Sequence, residues 1–213
     1  MKMFETRADA GEQLATHLLA HHLRADLVLG LPRGGVIVAA EVASALKLPL
    51  DALVVRKIGH PHHREFALGA IAEDGTMKLD GGSSQWFIPN AELDAVIAEE
   101  TARLKDYRAK FHVRTPLDLR GKRILIIDDG LATGATAEVA VLSARHRGAE
   151  TIRVAVPIAS QSAVTRLEKV ADAVTALHID PKFEAVGCYY TNFPQTTDDE
   201  VIRILAQGTR NPD

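Results

Sequence analysis

The stretch Ile-Leu-Ile-Ile-Asp-Asp-Gly-Leu-Ala-Thr-Gly-Ala-Thr, residues 124–136, predicts a strand, a turn and a helix in succession. Its four apolar β-formers predict a buried strand that ends at Asp128 and Asp129. A turn rich in Gly and Thr follows and leads into a helical pattern that begins near Gly134. Because the free N–H groups and the positive dipole end of a helix start bind anions, we expect a phosphate site beside two carboxylates.

The two carboxylates need a ligand of another kind, because a phosphate would be repelled by them. A sugar diol, a magnesium ion or both would suit them. A phosphate next to a diol describes a phosphorylated ribose. The simpler interpretation is an ordinary buried strand with aspartates as turn former and helix cap. The Thr-Gly-Ala-Thr turn at this offset favours the functional interpretation.

Outward from this stretch, apolar segments that suit strands alternate with helical patterns. Strands are predicted at 25–31, 50–56, 67–73, 124–127, 151–156 and 173–178. Helices are predicted at 10–23, from the Gly-Gly at 34–35 to about 46, and at 90–111, 134–147, 160–170 and 197–206. This order predicts an α/β fold, a parallel twisted sheet flanked by helices. Ligands of such sheets lie at the carboxyl ends of the strands, where the motifs of this chain fall.

Composition limits the class of protein. The 213 residues suit one domain, and 46% hydrophobic with 25% charged residues is typical of a globular protein. A net charge of −3 gives no electrostatic reason to bind nucleic acid or an anionic membrane. No apolar run approaches the ~20 residues that span a bilayer, and the first residues lack a signal core. The one cysteine, Cys188, fits a reducing compartment, so we expect a cytoplasmic protein.

Two further motifs place cations at predicted strand ends. In Leu31-Pro32-Arg33-Gly34-Gly35 the glycines would let the backbone approach a ligand, and Arg33 offers donors to a phosphate. The motif is neither Gly-x-Gly-x-x-Gly nor Gly-Lys-Ser/Thr, which disfavours a dinucleotide site and excludes a P-loop. Arg56 and Lys57 close the next strand. A turn before a helix and a solvated strand end are the simpler interpretations of the two motifs.

Residues 124–136 resemble the fingerprint of the type I phosphoribosyltransferases, in which apolar residues, two acids and a Thr-Gly turn follow one another. The resemblance implies that Asp128 and Asp129 bind the ribose hydroxyls of phosphoribosyl pyrophosphate (PRPP). It also implies that the turn binds the 5′-phosphate through backbone amides and hydroxyls. The turn comprises Gly130, Leu131, Ala132, Thr133, Gly134, Ala135 and Thr136.

The same resemblance extends to the cationic motifs. Arg33, Gly34 and Gly35 would grip the pyrophosphate, in a loop that often holds a non-proline cis peptide, and Arg56 and Lys57 would contact it too. Mg²⁺ is the implied cofactor, held at Asp128 and Asp129 partly through substrate and water. The implied catalytic residues are Asp128, Asp129 and Lys57.

A polar, His-rich loop over 57–66 follows the Arg-Lys pair. Its irregular spacing suits a polar loop better than a zinc site, whose ligands are usually more regularly spaced. Its position matches the family's flexible catalytic loop, from which Arg64 and Glu65 would enter the site on closure.

Phe183 is the candidate for stacking on a base. The segment Pro181-Lys182-Phe183-Glu184-Ala185-Val186-Gly187 loosely resembles the base-binding segment of the purine phosphoribosyltransferases. Core packing is the alternative for this ring, and other candidate aromatics are Tyr189, Tyr190 and Phe193. The resemblance implies a C-terminal hood over 180–213.

The resemblance covers most of the chain as one domain, 1–213, with a helical insertion over 80–116. With the pattern Arg7-x-Asp-Ala-Gly, the insertion is typical of a bacterial branch whose substrate is unassigned. Ala132 stands where several purine-using relatives carry a proton-transferring acid, which makes Glu65 and Glu73 candidates for that role. Many members of the family are dimers, so we expect a homodimer.

Three functions remain open. The first is a transferase that moves the 5-phosphoribosyl group of PRPP to a nitrogen nucleophile such as a nucleobase, as in nucleotide salvage. The second is a non-catalytic PRPP-binding regulator, which the absence of a basic segment in the sequence disfavours. The third is a sugar-phosphate hydrolase or phosphotransferase, which the Arg33 and Arg56-Lys57 motifs disfavour.

Overall fold

Parallel strands form the main sheet of the computed structural model, which describes residues 3–64, 66–80, 88–112 and 117–208. In their order across the sheet these strands are β2 (Leu50–Ala52), β1 (Leu27–Gly30), β6 (Arg123–Ile127), β7 (Thr151–Ser160) and β8 (Ala173–Asp180). The fingerprint strand β6 lies between β1 and β7, with Gly30 opposite Ile127 and Ile127 opposite Ala155. The predicted α/β fold with a parallel sheet is confirmed.

Helices cover both faces of this sheet. In chain order they are α1 (Arg7–Ala20), α2 (Gly34–Leu46), α3 (Asn90–Phe111), α4 (Ala135–His146), α5 (Gln161–Leu167) and α6 (Asp198–Gly208), with a short 3₁₀ helix at Val186–Tyr189 before α6. Leu125 and Ile127 pack in the core cluster that α1, α2, α3 and α6 share. Ile124 and Ile126 pack in the other cluster, with α4 and α5. This division follows from the alternation of side chains along a strand.

The predicted strand over 50–56 is wrong as one strand. The chain leaves the main sheet after β2, and β3 (Val55–Gly59) begins a small antiparallel sheet with β4 (Ala67–Ala72) and β5 (Met77–Leu79). Leu53 and Val54, at the change of sheet, are both buried. Because the apolar pattern continues through this junction, the sequence does not show where the chain changes from one sheet to the other. The strand predicted over 67–73 belongs to the small sheet and is antiparallel to its neighbours.

The N-terminal helix begins earlier than its predicted range of 10–23. Thr6 is its N-cap, and the Thr6 side chain accepts a hydrogen bond from the Asp9 amide. The cap places Arg7 in the first turn of α1. Within the described residues, none of the helices has the length and apolar character that crossing a membrane requires.

Helix α3 has the bounds predicted for it, and the described part of the segment 80–116 consists of Asp80 and residues 88–112. Its buried face carries Val96, Leu104 and Phe111 into the core cluster of α1 and α2. Glu65, the stretches 81–87 and 113–116, and the last residues of 180–213 lie outside the described residues.

Candidate active site

A cavity of about 420 Å³ opens beyond the carboxyl ends of β1 and β6, next to β3. Among the residues that line it are all the predicted PRPP-binding residues except Gly35 and Ala135. The lining is formed by Pro32, Arg33, Gly34, Val55, Arg56, Lys57, Asp128, Asp129, Gly130, Leu131, Ala132, Thr133, Gly134, Thr136 and Val186. Three motifs that are separated in the sequence therefore meet at one place.

The turn between β6 and α4 is held by the end of the neighbouring strand β7. The Leu131 amide donates to the Ile158 carbonyl over 2.9 Å, and the Ser160 hydroxyl donates to the Ala132 carbonyl over 2.6 Å. Gly134 ends the turn with a φ of 73°, a left-handed conformation that glycine adopts without strain. Helix α4 begins at the next residue, and Thr136 of its first turn lines the cavity, so this helix start suits a phosphate.

Asp128 lies at the end of β6 and lines the cavity. Loss of hydration, and then the charge of Asp129, raise the pKa of the Asp128 carboxyl well above its ordinary range, while the positive charge of Lys57 opposes that rise. Oδ1 of Asp128 accepts a hydrogen bond of 2.8 Å from the Asp129 amide. This bond fixes the Asp128 carboxyl group against the backbone at the end of β6.

Asp129 is paired with a residue that the site prediction did not include. Nε of Arg7 lies 2.7 Å from Asp129 Oδ2 in a salt bridge between two largely buried side chains. The two residues are 122 positions apart in sequence, and a single arginine in the first turn of a helix carries no motif of its own. In the sequence, this residue stands out only as part of the pattern Arg7-x-Asp-Ala-Gly, which is typical of one branch of the family and assigns no role to the arginine.

The two glycines that begin α2 pack closely against the acidic pair. A Cβ atom on Gly34 would overlap Oδ2 of Asp129 and lie 2.6 Å from Nε of Arg7. A Cβ atom on Gly35 would lie 2.8 Å from Oδ1 of Asp128. The lack of side chains on these glycines therefore leaves space for the two carboxylates, in addition to letting the backbone approach a ligand. The peptide bond between Pro32 and Arg33 is cis, as the resemblance led us to expect.

Acidic residues of two helices hold the arginines that line the cavity. Nε of Arg56 lies 2.9 Å from Oε2 of Glu100, a buried residue of α3. Nη1 of Arg33 lies 3.5 Å from Oδ1 of Asp198 in the first turn of α6. Lys57 lines the same cavity from β3. Positive charge therefore converges on the side of the cavity formed by the loop after β1 and by β3.

The aromatic candidates lie outside the lining of this cavity. Phe183 stacks on Tyr189, with ring centroids 5.3 Å apart, and Tyr190 packs on Phe4 at 5.4 Å. Phe193 lies under the guanidinium of Arg7, 3.7 Å from its central carbon. From this segment it is Val186 that lines the cavity. Val186 belongs to the segment that resembles a base-binding segment, but an apolar side chain has no chemical signature that would single it out from the sequence.

The His-rich loop is tied to helix α3. Nε2 of His62 lies 2.8 Å from Glu92, and Nη2 of Arg64 lies 2.7 Å from Glu99. Within the described residues no group of three or more His, Cys, Asp or Glu side chains could hold a metal ion. Glu73, a candidate for proton transfer, accepts a hydrogen bond of 2.7 Å from Nε2 of His112 and is not part of the cavity lining.

The donor set fits Mg²⁺ only in part. Carboxylate oxygens are the ligands that Mg²⁺ prefers, and the cavity presents Asp128 and Asp129 side by side. One oxygen of Asp129 is already engaged by Arg7. A Mg²⁺ ion takes about six ligands in near-octahedral geometry, so these residues suit an ion that a bound phosphate compound and water would also coordinate.

Comparisons with known proteins identify the family of the chain. The family model described as "Phosphoribosyl transferase domain" matches residues 6–191. The chain therefore belongs to the phosphoribosyl transferase domain family. A Mycobacterium tuberculosis protein named as a phosphoribosyl transferase is 45% identical over 213 residues, which are 99% of this chain and 48% of that protein. The chain thus spans about half the length of the curated relatives it matches first.

Two further comparisons cover shorter proteins. The adenine phosphoribosyltransferase of Mycobacterium avium is 35% identical over 154 residues, 70% of this chain and 66% of that enzyme. A crystal structure of a Thermus thermophilus protein superposes with a TM-score of 0.79 at 40% identity, and the match covers 99% of this chain and 100% of that one. The similarity to this solved structure thus extends over the whole fold.

Proposed function

We propose that this protein is a phosphoribosyltransferase that binds PRPP with Mg²⁺ and transfers the 5-phosphoribosyl group to a nitrogen nucleophile. The acceptor would be a nucleobase-like small molecule, and pyrophosphate would be released. One observation carries the proposal: a single cavity joins a helix-start turn, two carboxylates and the cations Arg33, Arg56 and Lys57. These groups match the phosphate, the ribose diol and the pyrophosphate of PRPP.

In the proposed binding mode, each group of PRPP would have a partner in this cavity. Its 5′-phosphate would lie on the turn over 130–136, close to the N–H groups at the start of α4. Its ribose hydroxyls would donate to Asp128 and Asp129. Its pyrophosphate would lie between the loop after β1 and strand β3, close to the guanidinium groups that bind phosphate oxygens strongly.

The reaction breaks the bond between the anomeric carbon and a pyrophosphate oxygen and forms a bond from that carbon to the acceptor nitrogen, which loses a proton. Positive charge develops on the ribose in the transition state, and the carboxylates of the acidic pair would stabilise it. Arg33, Arg56 and Lys57 would stabilise the negative charge of the departing pyrophosphate. Mg²⁺, when bound, supplies Lewis-acid polarisation of the phosphate oxygens.

For the acceptor we propose the side of the cavity formed by Val186 of the C-terminal segment. Val186 lines the cavity there, and Phe183 belongs to the same apolar cluster. Because Ala132 lies in the turn instead of an acid, the site would not protonate or deprotonate a purine through this position. Acceptors that need no such acid are therefore the first to test.

The test is to incubate the protein with PRPP, Mg²⁺ and a panel of nucleobases and to measure pyrophosphate release. We expect release that depends on one of the bases. The double variant Asp128→Asn/Asp129→Asn should lose PRPP binding in calorimetry while its circular dichroism stays unchanged. The matched control is Asp118→Asn, because Asp118 is an exposed carboxylate outside the cavity lining.

Other results of these experiments would support a different function or refute the role given to the acidic pair. PRPP binding without release in the presence of any base would contradict the transferase and support a regulator. Phosphate release from sugar phosphates, with no binding of PRPP, would support a hydrolase. Unchanged PRPP affinity in the double variant would refute the role given to the acidic pair.

A further inference from the structure

Arg7 reaches the acidic pair from the first turn of helix α1, and three contacts fix its guanidinium. Nε lies 2.7 Å from Oδ2 of Asp129, and Nη1 donates to the Pro194 carbonyl over 2.8 Å. The central carbon lies 3.7 Å from the centroid of the Phe193 ring. Only 8% of the residue is exposed. A buried cation held by three separate partners occupies one position.

The backbone closes around this ion pair from the other side. Gly34 leaves the space in which Oδ2 of Asp129 and Nε of Arg7 meet, since a Cβ atom there would overlap the carboxylate. Oδ2 is therefore enclosed by the guanidinium and by the loop after β1. The second oxygen of the carboxylate, Oδ1, is the one left to face a ligand.

Two adjacent carboxylates in one cavity normally attract a divalent cation, because each ion needs compensation when it leaves water. Here a cation that belongs to the chain already supplies one positive charge at 2.7 Å. A metal ion that approached Oδ2 would have to displace a guanidinium that also binds Pro194 and covers Phe193. Arg7 thus occupies the position on Asp129 where a metal ion would bind.

We propose that Arg7 is a positioning residue that supplies the counter-charge of Asp129, so that the acidic pair does not bind a divalent cation before PRPP arrives. This inference rests on the proposed function, in which Asp129 holds the ribose. The metal would then enter with the pyrophosphate of the donor, and Asp129 would keep Oδ1 free for a ribose hydroxyl. Arg7 would also tie helix α1 and the segment around Pro194 to the ligand site.

The experiment measures the binding of Mn²⁺ alone to the full chain, by electron paramagnetic resonance of the free ion and without PRPP. We expect the wild-type protein to bind Mn²⁺ weakly. Arg7→Gln should bind it at least about tenfold more tightly, because the variant leaves the Asp129 carboxylate without its counter-charge. Arg7→Lys, which keeps the charge, should restore weak binding. Arg120→Gln removes an exposed arginine and is the control for the change in net charge.

Thermal unfolding shows whether Arg7→Gln is folded. If this variant does not fold, a second measurement still tests the proposal. Mn²⁺ binding to the wild type is compared with binding to Asp129→Asn, and we expect the same weak binding in both. Tight binding to the wild type that Asp129→Asn removes would overturn the proposal, and so would equal binding to wild type and folded Arg7→Gln. Neither comparison needs PRPP. A failure of the proposed function would appear as absent PRPP binding, so it can be distinguished from a failure of this inference.

Discussion

The hydroxyl of Tyr190 donates a hydrogen bond of 2.6 Å to the backbone carbonyl of Asp129. Burial, and then the charge of Asp129, raise the pKa of the Tyr190 hydroxyl far above its ordinary value, so the group remains a donor throughout the physiological pH range. The ring is buried and packs on Phe4. Tyr190 therefore fixes the backbone at the end of the fingerprint strand from the C-terminal segment.

Tyr190→Phe should weaken PRPP binding and lower the free energy of unfolding by about 1–3 kcal/mol, because it leaves a part-buried carbonyl without its donor. Tyr189→Phe is the matched control, since the Tyr189 hydroxyl donates over 2.7 Å to Asp180 at the end of β8 and not to the acidic pair. Calorimetric titration of both variants with PRPP checks the prediction. The same PRPP affinity in the two variants would contradict it.

Local patterns were enough to predict the centre of the fold. The strand over 124–127 is a continuous apolar run whose four residues are all buried, and the apolar period of the helix over 90–111 matches the buried face of α3. At Leu53 and Val54 the pattern was insufficient, because both residues are buried although the chain changes from one sheet to another there. Hydrophobic periodicity reports burial, and it does not report which sheet a strand joins.

The candidate site likewise contains residues that local sequence patterns could identify and residues that they could not. Residues of the turn and the cationic motifs could be selected because their chemistry is concentrated in short stretches. Arg7 could not be assigned a role, because its partner is 122 positions away in sequence and only the tertiary fold brings the two together. The contribution of α3 to the site could not be predicted either, because nothing in its sequence indicates that Glu100 forms a salt bridge with Arg56.

Arg56 gives the second prediction. Arg56 and Arg103 both pair with Glu100, at 2.9 and 2.8 Å, but only Arg56 lines the cavity. Arg56→Gln should lower the affinity for pyrophosphate at least about tenfold, because a charge-assisted hydrogen bond to phosphate is worth about 1.5–3 kcal/mol. Arg103→Gln, which loses the same partner, should bind pyrophosphate as the wild type does.

Titration calorimetry with pyrophosphate and Mg²⁺ compares these two variants with the wild type. Circular dichroism establishes that both variants fold. Equal losses of affinity in Arg56→Gln and Arg103→Gln would show that the effect passes through helix α3 and Glu100, and the direct contact of Arg56 with the ligand would be excluded.

His112 gives the third prediction, which concerns stability. The ring lies between two carboxylates, with Nε2 2.7 Å from Glu73 and Nδ1 3.4 Å from Asp51. Although burial acts in the opposite direction, interactions with Asp51 and Glu73 raise the pKa of His112 from 6.5 to about 9. A pKa raised in the folded state stabilises the fold fully below the unfolded pKa, and the contribution is lost as the pH rises through the folded pKa.

The free energy of unfolding should therefore fall between pH 6.5 and about 9, by about 3 kcal/mol for a shift of this size. Urea unfolding at several values between about pH 6 and about pH 10 measures the fall. His112→Gln should be less stable at the acid end and should lack most of the fall, since it has no proton to lose. His146→Gln, at an exposed histidine 3.4 Å from Asp74, should keep the wild-type dependence on pH. A His112→Gln profile parallel to that of the wild type would assign the dependence to other groups.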